Sequence, residues 1–66
     1  MDKLNGWITV KSYITKQFEV ELLQDSNGRY CVRYQYGVDD RYSEWMTDFI
    51  TASMIFDMKL QELEGH

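Results

Sequence analysis

Four acidic residues lie close to two large aromatic residues in the second half of the sequence. The acids are Asp39, Asp40, Glu44 and Asp48, and the aromatic residues are Trp45 and Phe49, with Tyr42 nearby. Carboxylate pairs can do acid–base chemistry, but only within a pocket, which a 66-residue chain can hardly enclose. An apolar anchor ringed by charges is instead typical of protein interfaces. The alternative is a solvated acidic surface beside two core aromatic residues.

The composition argues against most catalytic and metal-binding classes. The only cysteine is Cys31 and the only histidine is His66, so neither an internal disulfide nor a Cys/His zinc site is possible. The sequence has no Gly-rich phosphate loop and no nucleophile elbow. The formal net charge of −4 disfavours binding to a phosphate backbone. We therefore expect no enzyme, no cofactor, no metal and no nucleic-acid partner.

The size and the hydropathy pattern give expectations about location and assembly. No apolar run approaches the roughly 18 residues of a membrane span, so no membrane partner is expected. The first residues do not resemble a signal peptide, and a lone cysteine suits a reducing cytoplasm. A chain of this length buries only about 62% of its unfolded surface. A homodimer would enlarge this thin core.

Two alternating segments around Asn27 and Gly28 predict a β-hairpin, with strands over 18–23 and 30–36. A two-residue Asn27-Gly28 turn would mix apolar residues with Arg33 on one face. A three-residue loop instead places six apolar side chains on one face, and a one-residue slip reverses every side chain. These side chains are Phe18, Val20, Leu22, Val32, Tyr34 and Tyr36. The sequence thus predicts the three-residue loop, with Gly28 in the left-handed conformation.

The remaining segments are less uniform in pattern. Residues 7–14 alternate and are rich in β-branched side chains, which predicts a further strand. Ser43 can cap a short helix that ends near Ile50, in which Trp45 and Phe49 would share a face. Residues 54–63 fit a strand by alternation and a helix by their apolar stripe, and periodicity alone does not decide between them.

Three short blocks resemble the small uracil-DNA glycosylase inhibitors of Bacillus phages. The first block is Phe18 to Arg29, continuing to Tyr34 and Gly37, and it contains the Leu-Leu-Gln-Asp run of that family. The second block is Tyr42-Ser43-Glu44-Trp45 followed by Phe49, and the third is Ile55 to Leu60. The resemblance covers about 50 of the 66 residues. It leaves 1–14 as an N-terminal extension or extra strand and 15–63 as one domain. Residues Glu64, Gly65 and His66 are interpreted, from their own sequence, as a possible tag remnant.

The resemblance implies an α+β fold, with a three- to four-stranded antiparallel sheet, one short helix and a homodimer. It implies a helix near 43–50 and resolves 54–63 as a strand. Members of that family mimic DNA and occupy the DNA-binding groove of a host glycosylase. By this resemblance Trp45 and Phe49 would line an apolar pocket flanked by Glu44. One family carboxylate corresponds to Arg33 here, so any phosphate-mimic role at that position would pass to another acid or be absent.

Two functional hypotheses follow from the sequence. The first is a phage protein that inhibits a host uracil-DNA glycosylase through an acidic face and an apolar pocket. The second is a non-enzymatic interaction domain of a phage or bacterium with an unrelated partner. Base stacking on the tyrosine face is a weaker third, because the acidic charge favours packing for Tyr30, Tyr34 and Tyr36.

Overall fold

The hairpin formed by strands β2 (Phe18–Gln24) and β3 (Tyr30–Tyr36) is the centre of the fold. The computed structural model describes residues 6–65 of the chain. Leu22 pairs with Val32 and Val20 pairs with Tyr34, so the register predicted from apolar coherence is confirmed. Gly28 has φ of +83°, and its N–H donates to the Asp25 carbonyl at 3.1 Å. The left-handed glycine of the predicted loop is therefore confirmed.

Four antiparallel strands lie in the order β1-β2-β3-β4, which is also their order in the chain. Strand β1 covers Ile8–Ile14, as the alternation of residues 7–14 predicts, and pairs with β2. Its register shifts between Thr9 and Lys11, which makes Val10 an extra residue opposite β2. Strand β4 covers Asp39–Tyr42 and forms the other edge of the sheet.

Among residues 6–65 there is one helix, α1 (Phe49–Glu64), and it covers one face of the sheet. The strand predicted over 54–63 is therefore wrong. The segment is helical because a helix can place its apolar stripe against the apolar face of the sheet. Ala52 and Phe56 are the buried residues of this helix–sheet contact. The core consists of six buried side chains, with Ile55, Leu60 and Leu63 packed against them. These six are Phe18, Val20, Leu22, Val32, Ala52 and Phe56.

The helix begins later than the sequence predicts. Asp48, not Ser43, is the N-cap residue, and its carboxylate accepts the backbone N–H of Thr51 at 3.0 Å. The hydrogen bonds from Thr51 hold the pKa of Asp48 below its usual value. Glu44 and Trp45 lie before the helix, so the predicted helix over 43–50 and the shared helix face of Trp45 and Phe49 are wrong.

The α+β class with an antiparallel sheet and one helix is confirmed. Within residues 6–65, the helix is neither long nor apolar enough to cross a membrane. Residues 1–5 of the predicted N-terminal extension and His66 of the predicted tag remnant lie outside the described residues.

Candidate functional site

The sheet face away from α1, here called the open face, carries both polar and aromatic side chains. In β2 and β3 the residues that alternate with the core positions pair directly with one another, for example Glu21 with Arg33 and Leu23 with Cys31. The pairing of Tyr42 with Arg33 places Tyr42 on the same face. The open face therefore consists of Glu19, Glu21, Leu23, Cys31, Arg33, Gln35, Asp40 and Tyr42.

Three rings form an aromatic cluster at the end of the sheet near the β2–β3 turn. The ring centroid of Trp7 lies 5.1 Å from that of Trp45 and 6.3 Å from that of Tyr42, both in edge-on geometry. The guanidinium of Arg29 lies 5.4 Å from the Trp45 ring. This aromatic cluster (Trp7, Tyr42, Trp45) gives the open face an apolar centre that is partly exposed to solvent.

The aromatic cluster accounts for two buried residues that do not touch the helix-side core. Leu23 and Cys31 are only 2% and 1% exposed, although they point to the open face. Because the Trp7 ring, from the β1 side, and the Tyr42 ring, from β4, lie 6.3 Å apart, the two side chains together span the two strands between them. We infer that the aromatic cluster shields Leu23 and Cys31 from water, and so forms a second, smaller core.

A carboxylate cluster surrounds Arg33 on the rest of the open face. Its guanidinium lies 3.2 Å from Glu19 Oε1, 3.3 Å from Glu21 Oε2 and 3.0 Å from Asp40 Oδ1. It also donates to Gln35 Oε1 at 2.7 Å. Partial burial works against the charged guanidinium, but the hydrogen bond to Glu19 and the nearby carboxylates raise the pKa of Arg33 overall. The carboxylate cluster (Glu19, Glu21, Asp40) is thus held in place by one cation.

The chain between β4 and α1 is what places Trp45 on this face. Ser43 continues beside β3 and accepts the backbone N–H of Val32 on its hydroxyl oxygen at 2.9 Å. The chain then pairs again where the backbone of Met46 exchanges two hydrogen bonds with Tyr30, at 2.6 and 2.7 Å. Met46 packs against the helix-side core. Because Trp45 precedes it in this bridge, Trp45 points to the open face.

The structure brings together some of the predicted site residues and separates others. Asp40, Tyr42 and Trp45 share the open face. Phe49 instead packs its ring on Tyr30 at 5.4 Å, on the helix side of the sheet. The other predicted acids lie apart from the open face: Asp39 pairs with Tyr36, Asp48 caps the helix and Glu44 is exposed before it.

Sequence reasoning did not select Glu19 and Glu21 of the open face, nor Trp7 and Arg29, which contact Trp45. The two glutamates could have been found, because the predicted register already places them on the face opposite the apolar side chains, beside Arg33. Little in the sequence indicates that Trp7 belongs to the site, since Trp7 lies just before the first strand. Its contact with Trp45 joins residues far apart in the chain and no local pattern reports it.

The described residues offer little support for chemistry at other sites. Burial raises the pKa of the Cys31 thiol despite its hydrogen bonds with Ser43, which makes it a poor nucleophile. Among residues 6–65, no group of three or more His, Cys, Asp or Glu side chains could hold a metal ion. A shallow cleft of about 120 Å³ beside Thr15 and Gln35 is smaller than typical small-molecule sites.

The tyrosine face is mostly engaged in packing. Tyr30 and Tyr34 pack against the helix-side core, and the ammonium of Lys59 lies 4.6 Å from the Tyr34 ring. Tyr36 is 44% exposed. Two of the three tyrosines are thus packed as predicted, and these two do not form an open platform for stacked bases.

Comparison of the chain with protein-family models, with curated proteins and with solved structures found no match. A function must therefore be argued from the open face itself. That face combines a partly exposed aromatic cluster with a carboxylate cluster held around Arg33.

Proposed function

We propose that this chain is a non-enzymatic protein-binding domain that docks its open face into a basic groove of a partner protein. The resemblance names one such partner, the uracil-DNA glycosylase of a phage host, whose DNA-binding groove would be blocked in the cytoplasm. One observation carries the proposal: the aromatic cluster and the carboxylate cluster adjoin on one sheet face, where Tyr42 pairs with Arg33.

The electrostatics of the open face suit a cationic partner. Glu19 and Asp40 keep 37% and 41% of their side-chain surface exposed while Arg33 fixes their positions. The chain as a whole carries a net charge of −4. A basic groove that normally holds phosphates would attract this face over a distance and speed the encounter. Ordered carboxylates lose little side-chain entropy on binding, which favours affinity.

The aromatic cluster would supply the apolar anchor. Trp45 already contacts Trp7 edge-on and lies 5.4 Å from the guanidinium of Arg29, so its ring is held in one orientation before any partner binds. Rigid, partly exposed tryptophans are frequent hot spots of interfaces. This anchor differs from the pocket that the resemblance implies, because Phe49 lies on the other side of the sheet. The proposal therefore depends on Trp45 and not on a Trp45–Phe49 pocket.

The direct test is a uracil-excision assay in which this protein is titrated against a host uracil-DNA glycosylase. We expect stoichiometric inhibition that weakens as salt rises, because the attraction is screened. Trp45→Ala and Asp40→Asn should each weaken inhibition at least about tenfold, as expected for an anchor and a steering charge. Asp57→Asn is the matched control, because Asp57 is exposed on the helix, away from the open face.

Uracil excision that persists at a tenfold molar excess of this protein would remove the glycosylase as the partner. An unrelated protein partner is the second candidate, and one observation favours it: the helix over 49–64 departs from the element order that the resemblance implies. Capture from host lysate by the wild-type chain and not by Trp45→Ala would then identify that partner. Equal capture by both chains would contradict the proposed face itself.

A further inference from the structure

Strand β1 is a long, exposed and apolar edge of the sheet. All seven of its residues are exposed, including Ile8 at 56%, Tyr13 at 42% and Ile14 at 61%. The opposite edge, β4, has four residues, of which three are charged. Short length and charge are the usual devices that prevent a sheet edge from pairing with another chain. The β4 edge has both devices, whereas β1 is long and apolar.

Lys11 is the only charged residue of β1, and its side chain points toward the helix rather than outward from the strand edge. Lys11 donates from Nζ to the hydroxyl of Ser53 at 3.0 Å, and the same ammonium lies 4.8 Å from the Phe56 ring. Both contacts belong to α1, so this lysine leans over the sheet toward the helix. A lysine in that position does not guard the strand edge as an outward-pointing lysine would.

The bulge at Val10 gives β1 a symmetric polarity pattern. Pairing with β2 places Ile8, Lys11 and Tyr13 on the helix side, and Thr9, Ser12 and Ile14 on the open face. In a strand without an extra residue, the alternation of faces is symmetric about a residue; the bulge moves the centre of symmetry to a point between two residues. A bulge turns two successive side chains, here those of Val10 and Lys11, to the same side of the sheet. Residues at equal distance on either side of the midpoint between Val10 and Lys11 therefore lie on the same face.

We propose that β1 pairs with β1 of a second copy of this chain, antiparallel, around a two-fold axis between Val10 and Lys11. In this register Ile8 lies opposite Tyr13 of the second copy, and Thr9 lies opposite Ser12. Lys11 lies opposite Val10, so the two ammonium groups do not face each other. A shift by one residue would place Lys11 opposite itself and pair residues of unlike faces. The result is a continuous eight-stranded sheet with both helices on one side.

Charge and area set the expected strength of this dimer. Strand β1 contains no acidic residue, and the acids Asp39 and Asp40 of β4 would lie at the two outer ends of the joined sheet. Association of two chains of net charge −4 is therefore least opposed at this edge. The exposed apolar side chains of β1 are Ile8, Val10, Tyr13 and Ile14, at 40–61% exposure, far fewer than the roughly 20–30 residues a side of a standard interface. We expect a dimer that dissociates on dilution.

The proposed dimer is independent of the proposed function, but it would make the open faces of the two copies continuous. The register places Ile14 of the second copy opposite Trp7, a member of the aromatic cluster. Two aromatic clusters would then flank the dimer axis on one continuous open face. A partner that contacts both copies would be bound more tightly than one that contacts a single chain.

The first test measures mass against concentration by light scattering or sedimentation. The mass should rise from 7.9 kDa toward twice that value between about 10 µM and about 1 mM. Ile8→Lys should raise the dimer dissociation constant at least about tenfold, because the two-fold axis removes the Ile8–Tyr13 pair twice. Ile50→Lys is the matched control, because Ile50 is 67% exposed on the helix. A constant mass of 7.9 kDa up to about 1 mM, or a dimer lost only in Ile50→Lys, would overturn the proposal.

A cross-linking test fixes the register and does not depend on how Ile8→Lys folds. Chains carrying Thr9→Cys are mixed with chains carrying Ser12→Cys and oxidised gently. The proposed register brings residue 9 opposite residue 12 of the other chain, within reach of a disulfide. The mixture should give a covalent heterodimer, while each variant alone should remain uncrosslinked, since Cys31 is buried. Homodisulfides from either variant alone at the same rate would contradict the register.

Discussion

Replacement of Arg33 by methionine should separate the role of the cation from that of the carboxylates around it. Methionine has a similar length and keeps the apolar part of the contact, but it removes the guanidinium that joins β2, β3 and β4. Glu19, Glu21 and Asp40 would then repel one another across three strands. We expect the variant to fold but to unfold at a lower temperature.

The magnitude follows from the exposure of the three ion pairs. Glu19 and Asp40 are 37% and 41% exposed, so their pairs with Arg33 contribute about 0.5 kcal/mol each. Glu21 is only 14% exposed, and its pair contributes about 1 kcal/mol because less water screens it. The total loss is about 2 kcal/mol, which lowers Tm by roughly 10 °C in a domain of this size.

Thermal unfolding followed by circular dichroism at low and high salt measures this loss. About 1 M salt should shrink the difference between Arg33→Met and wild type, because the repulsion is screened at that ionic strength. Arg41→Met is the matched control. It removes the same charge from β4, but Arg41 is exposed and lies across from Tyr34, on the helix side.

Two outcomes would refute this reasoning. If Arg33→Met and Arg41→Met lower Tm equally, the loss reflects total charge and not the carboxylate cluster. If the loss in Arg33→Met does not change with salt, then it arises from packing of the side chain rather than from its charge. The two variants carry the same net charge, and both measurements are made on the isolated chain, so neither outcome depends on a protein partner.

Two further changes address the β2–β3 turn. Gly28→Val should cost at least about 1–2 kcal/mol, because φ of +83° is disfavoured for a β-branched residue. Gly65→Ala is the control and should change Tm little, because the φ of Gly65 is −79°. An unchanged Tm in Gly28→Val would contradict the assigned turn. Burial opposes ionisation of Asp25, but hydrogen bonds from Arg29 and Asn27 lower its pKa below 3.8. Its stabilisation is therefore present above that pH and is lost as pH falls through the lower folded-state pKa. Asp25→Asn should flatten the acid limb of a pH–stability curve, and an unaltered limb would count against this linkage.

The hairpin was predictable because two independent constraints agree on it. Only one register keeps the apolar side chains of β2 and β3 on one face, and the same register places Gly28 where a left-handed residue is needed. The edge strand β1 was also predictable from its alternation. These are local patterns, and the sheet realises them without competition from distant residues.

The region after β4 was not predictable, because the deciding contacts are tertiary. Ser43 looks like a helix cap, but its hydroxyl accepts a hydrogen bond from β3. Residues 51–53 look like a break, yet Ala52 is fully buried where the helix meets the sheet. The preference for a strand over 54–63 came from the resemblance, and it is wrong. A small residue at a close contact gives no signal until the contact itself is known.

The candidate site was predicted in part for a related reason. Trp45, Tyr42 and Asp40 were selected as neighbours in sequence, and the sheet does place them on one face. The helix separates Phe49 from them, because it begins at that residue and turns to the other side. Trp7 enters the site from the opposite end of the chain, and only the folded sheet brings it there.

The meander order of the strands has a consequence for synthesis of the chain on the ribosome. Strands β1 to β4 pair only with neighbours in sequence, so the sheet can assemble as it emerges. Its apolar face, with Val20, Leu22 and Val32, has no cover until α1 is complete. The residues that cover the core are therefore made after the whole sheet, and the nascent sheet exposes an apolar surface until α1 has also left the ribosome.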